Sequence, residues 1–235
     1  MANSREQMLS SVRERENSIL KNVYIWMSCG LALTGVVSYL VATTPALLRM
    51  FLGSGLSFLF IVVAQFALVF YLSARLDKMS ANSAILSFVG YSILTGITLS
   101  SIFYAYSTIV ISRSFFTAAA LFGGMSFYGM VTKKDLSGMG HYLVMFLWGI
   151  IVASLINIFF RSDALYFMLS LVAVLVFLGL TAWDTQKIKS LNERYGKNMD
   201  EETYIKLSII GALMLYLDFI NIFLYLLRIF GRKER

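Results

Sequence analysis

The chain has 235 residues, of which 58% are hydrophobic and only 14% are charged, so it carries more apolar surface than a soluble domain of this size can bury. Together with a strongly positive mean hydropathy, this composition predicts a polytopic α-helical membrane protein. The single cysteine and single histidine exclude a disulfide framework and argue against a Cys/His metal site, and the net charge of +7 is of the kind that orients a membrane protein rather than one that binds nucleic acid.

The first 22 residues are polar and precede the first apolar run. Arginine and glutamate alternate within "SVRERENSILKNVY", which begins at Ser11, and this pattern is not that of an export signal. We predict that this stretch is a short polar helix leading into the first span, and that residues 1–22 form a cytoplasmic N-terminal segment.

Seven apolar segments follow, each near the ~20 residues that a spanning helix needs. Because no soluble domain interrupts them, we expect residues 23–231 to form one transmembrane domain and 232–235 a short tail. The only proline, Pro45, lies in the first loop, so proline kinks no predicted span. The predicted bounds of the seven segments are 23–42, 56–74, 83–106, 115–131, 140–160, 164–183 and 207–230.

Glycines in three of the spans suit close contacts between helices, because a missing side chain lets two backbones approach. They are Gly30, Gly35, Gly90, Gly96, Gly123, Gly124 and Gly129.

The distribution of lysine and arginine predicts the orientation. Most lie in the N-terminal segment and in the loops after spans two, four and six, whereas the other loops hold only Arg49, Arg113 and Arg161. The positive-inside rule therefore places the N-terminus in the cytoplasm. A seventh crossing would carry the basic C-terminus to the other side, against this rule. The alternative is that the last segment re-enters at Asp218 without crossing; we favour seven crossings.

Two aspartates stand within or beside apolar segments. Asp218 lies near the middle of "LMLYLDFINIFLYLLRIFG", and Asp184 follows the sixth apolar run in "GLTAWDTQKIK". No lysine or arginine lies deep within any span to neutralise them, and an aspartate at a helix centre costs roughly 2.5–3.5 kcal/mol on insertion scales. Asp218 is the stronger functional candidate, since Asp184 precedes Lys187 by one turn and could be an interfacial residue.

Together the two aspartates predict a proton-sharing pair. Sequential helices joined by one loop are commonly neighbours, and two close carboxylates in a low dielectric cannot both ionise cheaply. The protonated pair would clamp the two helices, whereas two anions would repel each other and offer oxygen ligands to Ca²⁺. By helix rise, Asp218 lies about 10 Å deeper than Asp184. A helix tilt, an extended sixth helix or a water vestibule would close this gap.

Several polar residues are candidate neighbours of the pair. Asn221 follows Asp218 by three residues and could share its face, and Arg75, at the end of the second span, is a candidate counter-ion. The ordinary alternative for Arg75 is that it extends to the membrane surface. Five further polar residues could also be neighbours of the pair, and the ordinary alternative is that they form hydrogen bonds between helices. They are Thr95, Thr98, Ser100, Ser101 and Asn157.

The two aspartate motifs, with "KKDLSGMG" from Lys133 and "GITLSSIF" from Gly96, resemble the Bax inhibitor-1 family over residues 20 to 231. This resemblance implies two three-helix layers around a central C-terminal helix. It also implies a pH-dependent Ca²⁺ leak gated by a hydrogen-bonded aspartate pair, which maps onto Asp184 and Asp218. The family's arginine from the second helix has its nearest counterpart in Arg75, in a segment that matches imperfectly. The short loops resemble a bacterial member, which implies the inner membrane.

Three other classes remain open. An intramembrane aspartyl protease also uses two helix-borne aspartates, but its Gly-x-Gly-Asp motif is replaced here by "LYLD", so we expect no enzymatic activity and no cofactor besides Ca²⁺ as bound or transported ion. A membrane regulator could instead bind other membrane proteins, such as a quality-control protease or a cell-death factor, without transport. A proton-coupled transporter lacks support from an inverted repeat.

Overall fold

The computed structural model describes residues 2–195 and 199–232; for residues 2–18, 77 and 192–195 it describes the backbone alone. All regular secondary structure in these ranges is helical. The helices are α1 (Ala2–Thr43), α2 (Pro45–Leu52), α3 (Gly55–Arg75), a 3₁₀ turn (Leu76–Lys78), α4 (Ala81–Leu99), α5 (Ile102–Ala105), α6 (Thr108–Val131), α7 (Ser137–Phe160), α8 (Asp163–Tyr195) and α9 (Glu201–Gly231).

Seven segments of these helices are long and apolar enough to cross a membrane, which confirms the all-α polytopic fold. Each contains or closely overlaps one of the seven predicted apolar segments. Their bounds are Ile19–Thr43, Gly55–Arg75, Ala81–Ala105, Thr108–Val131, Ser137–Phe160, Asp163–Leu191 and Glu201–Gly231.

The N-terminal segment and the first span form a single helix. α1 runs without interruption from Ala2 to Thr43, so no break separates the predicted polar helix from the membrane segment. Pro45 occupies the first position of the short helix α2, where its missing N–H is not needed. Proline thus starts a helix in the first connection and kinks no span.

The sixth and seventh helices are longer than the apolar pattern predicts. α8 continues past Asp184 to Tyr195, and α9 begins at Glu201, where two glutamates in its first turn complement the positive end of the helix dipole. Apolar runs mark only the part of a helix that faces lipid or protein. Polar residues with good helix propensity extend both helices beyond those runs.

The third span is divided at Ser100 and Ser101. The Ser100 hydroxyl donates to the carbonyl of Ile97 at 2.6 Å, and the Ser101 hydroxyl donates to that of Thr98 at 2.9 Å. Such side-chain bonds compete with the regular helical pattern, and here a turn separates α4 from α5.

The chain divides into two compact units, of which the first comprises Met1–Ala105 and Lys189–Tyr216. Its helices α1, α3 and α4 share an apolar cluster centred on Val41, Ile61 and Ile97. A Cβ at Gly30 would meet the Phe88 ring, and one at Gly96 would meet the backbone of α1 at Thr34. The prediction of close contacts is confirmed at both glycines.

A buried polar network also lies in the first unit. The hydroxyls of Tyr216 and Thr34 are 2.6 Å apart, and Thr34 donates to the carbonyl of Ser92 at 2.9 Å. The rings of Phe88 and Tyr91 pack edge-on against Tyr216, which is fully buried.

Gln65 of α3 extends the polar contacts of α4. Its amide donates to Thr95 at 3.0 Å and accepts from Thr98 at 3.1 Å. Thr95 and Thr98 therefore bond between helices, as the ordinary alternative anticipated, whereas Ser100 and Ser101 bond to carbonyls of their own segment.

The second unit comprises Tyr106–Ile188 and Leu217–Arg235. Phe219 of α9 packs edge-on against Phe115 and Phe122 of α6, with ring centroids 5.5 Å and 5.6 Å apart. Phe177 of α8 stacks on Tyr225 of α9. Aromatic packing thus joins α9 to both α6 and α8.

Helix α9 is the most buried of the spanning helices, with 67% of its apolar window buried against 6–44% for the other six. This burial explains why its sequence is apolar all round. The helix is continuous through Asp218, so it does not re-enter there and the re-entrant alternative is wrong. The arrangement of the other six helices in two layers stays a prediction.

Candidate functional site

Asp184 of α8 and Asp218 of α9 both belong to the second unit and both are buried. Their exposed fractions are 7% and 4%, which is unusual for carboxylates in any protein interior. Asp184 acts on Asp218 as a nearby charge of the same sign. Helix α8 continues to Tyr195, so Asp184 lies well inside it. Of the three explanations offered for the predicted difference in depth between the two aspartates, this corresponds to an extended sixth helix.

Each of the two carboxyl groups keeps one oxygen without a hydrogen-bond partner among the described residues. These atoms are Oδ1 of Asp184 and Oδ2 of Asp218. Buried polar atoms are normally paired, and an unpaired charged oxygen is the costliest exception. A shared proton or a bound cation would satisfy both atoms.

The hydroxyl of Thr181 faces two acceptors. It donates to the carbonyl of Phe177 at 2.8 Å, and it is also a hydrogen-bonding neighbour of the Asp218 carboxyl group. One hydroxyl has one proton, so it can donate to only one of these acceptors at a time.

The backbone of α8 beside Asp184 is held close to α6. A Cβ at Gly129 would overlap the carbonyl oxygen of Ala182, and the hydroxyls of Ser126 and Thr185 are 3.0 Å apart. Thr185 donates to the carbonyl of Thr181 at 2.7 Å, so it accepts from Ser126.

Helix α7 holds the other side of the same segment. A Cβ at Gly140 would meet the Trp183 ring, and one at Gly179 would stand 2.9 Å from the Leu143 side chain. Neighbours on two helices thus fix the residues on both sides of Asp184.

Gln186 joins the two sequence motifs "WDTQKIK" and "KKDLSGMG". Its Oε1 accepts from the backbone N–H of Leu136 at 2.8 Å, and its Nε2 donates to the carbonyl of Lys134 at 2.8 Å. The connection between α6 and α7 is thereby anchored to the turn of α8 that follows Asp184.

The basic residue that faces Asp184 is Lys187. It is the opposite charge acting on that carboxyl group, and its Nζ lies 4.9 Å from the centroid of the Trp183 ring. The sequence signal was present, since the two residues are three apart on one helix. The predicted counter-ion, Arg75, is the exposed last residue of α3 and belongs to the first unit, so its role stays a prediction.

The predicted amide neighbours bond elsewhere. Asn221 donates to the carbonyl of Leu217 in its own helix at 2.8 Å. Asn157 bonds twice to the backbone of Ser162 and stabilises the turn at Arg161, a residue in the left-handed conformation with φ of 50°. Asn157 therefore has a structural role at the end of α7.

Within the described ranges, no group of three or more His, Cys, Asp or Glu side chains could hold a metal ion. A Ca²⁺ ion at Asp184 and Asp218 would need further oxygen ligands, which hydroxyl groups, backbone carbonyls and water can supply.

A family model described as "Inhibitor of apoptosis-promoting Bax1" matches residues 16–235 of the chain. The chain belongs to the Bax inhibitor-1 family. The resemblance carried by the two aspartate motifs is thus confirmed, and with seven spanning helices the chain is a multi-pass membrane protein.

Relatives in this family align over nearly the whole chain. The "Inner membrane protein YbhL" of Escherichia coli is 46% identical over 215 residues, which cover 92% of each chain. An uncharacterized protein of Borreliella burgdorferi is 41% identical over 234 residues, covering 97% of this chain and 99% of the relative. An uncharacterized protein of Deinococcus radiodurans is 42% identical over 234 residues, covering 100% and 97%.

Proposed function

We propose that this protein is a pH-sensitive calcium leak channel whose gate is a proton shared by Asp184 and Asp218. The observation that carries the proposal is that each of these buried carboxyl groups has one oxygen with no partner among the described residues. A sequence under no functional constraint would replace such residues with apolar ones, because buried unpaired charge is costly.

The gate follows from the chemistry of the pair. When one proton is shared, one carboxyl group donates to the other and α8 is held to α9. When that proton leaves, two anions repel each other and both oxygens become available to a divalent cation. The Thr181 hydroxyl can follow this change by transferring its bond from the Phe177 carbonyl to Asp218.

Lys187 supports the ionised state of the site by placing a positive charge near Asp184. Gly129 and Gly140 keep α8 close to α6 and α7, which holds Asp184 in position. We propose no enzymatic step, because the pair has no small residues before Asp218 that would admit a peptide substrate.

We further propose that the protein lies in a bacterial inner membrane with its N-terminus in the cytoplasm. The relative in Escherichia coli is named an inner membrane protein, and the positive-inside rule supports the orientation. The lipid bilayer, protons and Ca²⁺ would then be its partners.

A flux experiment tests the proposed channel. Purified protein in liposomes loaded with a Ca²⁺-sensitive dye should show influx that changes between about pH 6 and 8 if the pair titrates there. Asp184→Asn and Asp218→Asn should each flatten this dependence. The matched control is Asp163→Asn, the same chemical change at an exposed position at the start of α8, which should keep the wild-type response.

Two outcomes would reject the channel gated by this pair. Both variants could leak with an unchanged pH response, in which case the aspartates are not the sensor. The wild-type protein could pass no Ca²⁺ at any pH, which would favour the regulator that binds other membrane proteins without transport. Cleavage of a reporter helix, abolished by either substitution, would instead indicate an aspartyl protease.

A further inference from the structure

The end of α9 carries two arginines that the proposed channel does not use. The Arg228 guanidinium lies 5.0 Å from the centroid of the Tyr225 ring and 5.2 Å from that of Tyr166. The Arg232 guanidinium lies 4.8 Å from the centroid of the Phe167 ring. All five residues belong to the second unit.

These guanidinium groups have no anionic partner in the described ranges. The ion pair found there, Lys206 with Glu202, involves neither of them. Aromatic rings contact the flat face of a guanidinium, whereas its five N–H donors point outward in the plane of the group. The rings therefore orient the two arginines and leave their donor edges available.

The arginines lie where lipid headgroups would meet the protein. Arg228 is in the last turn of a membrane-spanning helix, and Tyr166 and Phe167 are in the first turns of α8 at the same end. Arginine and aromatic side chains at the ends of spanning helices mark the boundary between lipid and water.

Lipid-facing surface adjoins this end of the unit. Tyr166 is 44% exposed, and Phe159 and Phe160, which end α7 just before α8 begins, are 86% and 75% exposed. A soluble anion would approach from water alone, whereas a lipid can place its headgroup on the arginines and its chains on these rings.

The positive-inside rule gives no account of arginines at the end of a seventh crossing. Recognition of phosphate accounts for arginines at this position, because a guanidinium donates two parallel hydrogen bonds to a phosphate group and a lysine cannot. At the end of α9, both of the basic residues that contact aromatic rings, Arg228 and Arg232, are arginines.

We propose that Arg228 and Arg232 bind the phosphate of an anionic phospholipid headgroup, with the rings of Tyr166, Phe167 and Tyr225 holding the guanidinium groups in position. The site is independent of the aspartate pair and does not require channel activity.

Native mass spectrometry of the full chain, titrated with phosphatidylglycerol or phosphatidylcholine in detergent, tests the proposal. The wild-type protein should retain phosphatidylglycerol preferentially. The double variant R228Q/R232Q should bind it about tenfold more weakly, because charge-assisted contacts are lost. The matched control R49Q/R113Q makes the same change in net charge at two exposed arginines and should bind as the wild type does.

A charge-preserving variant separates recognition from folding. R228K/R232K keeps the positive charge at the helix end and should fold, yet it should bind several-fold more weakly than the wild type because it loses the paired donors. Equal weakening in R228Q/R232Q and R49Q/R113Q would overturn the site as a nonspecific charge effect. Binding of soluble glycerol phosphate as tight as that of phosphatidylglycerol would overturn the assignment to a lipid.

Discussion

Gly129 of α6 lies directly against the backbone of Ala182 of α8. A Cβ built on Gly129 would overlap the Ala182 carbonyl oxygen and stand 3.0 Å from the Ala182 Cα atom. Backbone atoms cannot rotate away as a side chain can, so the two helices are as close here as their main chains permit. This contact lies two residues before Asp184 and sets the distance of the candidate site from α6.

Replacing Gly129 with alanine should therefore separate α6 from α8. We expect a loss of about 1–3 kcal/mol in stability, the usual range for overpacking, and a lower melting temperature in detergent. Ca²⁺ influx should change as well, since Asp184 would move with α8.

The same helix offers matched controls for this substitution. Gly123 and Gly124 have no atom within 4 Å of a built Cβ. Alanine at either position should be neutral or stabilising by up to ~1 kcal/mol, because alanine has the higher helix propensity. Equal destabilisation by all three substitutions would show that the Gly129–Ala182 contact does not set the helix spacing.

Gln186 should be required to order the connection between α6 and α7. Q186L removes the acceptor for the Leu136 N–H and the donor for the Lys134 carbonyl, so we expect a cost of about 1–2 kcal/mol. Hydrogen exchange of the Leu136 amide should become faster. Q186E is the informative comparison, because its carboxylate still accepts from Leu136 but has no proton for Lys134. Unchanged exchange at Leu136 in Q186L would contradict the prediction.

Removing the hydroxyl of Thr34 should cost more stability than removing the hydroxyl of Tyr216. Thr34 uses its proton on the Ser92 carbonyl, so Tyr216 is the donor in the 2.6 Å contact between the two hydroxyls. Y216F should cost about 1 kcal/mol, since Thr34 keeps its own bond. T34V should cost more, about 1–3 kcal/mol, because it removes a partner from both neighbours.

Thermal unfolding in detergent and a double-mutant cycle measure this asymmetry. The control is Y142F, which removes a hydroxyl from an exposed tyrosine of α7 and should have little effect. If Y216F proves as costly as T34V, the assignment of donor and acceptor is incorrect.

The turn before α7 should make a small contribution to stability that depends on pH. The Ser137 hydroxyl and its backbone N–H both donate to Asp135, and these bonds lower the pKa of the Asp135 carboxyl group from its ordinary value. The associated stability is present above the ordinary pKa and is lost as the pH falls through the lowered pKa.

Removing the Ser137 hydroxyl should reverse part of the lowering of the Asp135 pKa. In S137A the pKa of Asp135 should rise toward its ordinary value, though not fully, because the backbone N–H remains. Carboxyl NMR titration of labelled aspartate measures the change. S137T, which keeps a hydroxyl, should retain the lowered pKa; a rise equal to that of S137A would exclude the side-chain bond as the cause.

The sequence was sufficient to predict the seven helices because burial in lipid requires long apolar runs. It was less informative where helices extend beyond lipid, as α8 does past Asp184, since polar residues can be helical without any apolar pattern. The break at Ser100 depends on which carbonyl each hydroxyl bonds, and composition does not determine that choice.

Glycine positions show a second limit of sequence reasoning. Close contacts were predicted at seven glycines and are confirmed at Gly30, Gly96 and Gly129, while a Cβ at Gly90 would make only an ordinary contact, 3.7 Å from Leu68. The prediction is wrong at Gly35, Gly123 and Gly124, where a built Cβ would have no neighbour within 4 Å. A missing side chain permits a close approach, but the partner helix decides whether one occurs.

The candidate site was predictable as far as its two aspartates, because the cost of buried charge identifies them without a structure. The structure adds their helical neighbours, Thr181 and Lys187, which follow from the face that each residue presents. The Gln186 anchor was not foreseen, because a side chain that bonds to a distant backbone leaves no pattern in sequence.

Trp183 gives the candidate site a native optical reporter. Its indole packs against Gly140 and beneath Lys187, and it immediately precedes Asp184. The chain has only two other tryptophans, Trp26 and Trp148, so replacing both with phenylalanine would leave a single fluorophore at this position. Its emission wavelength would then register a rearrangement beside the carboxyl groups as it happens, without an attached label.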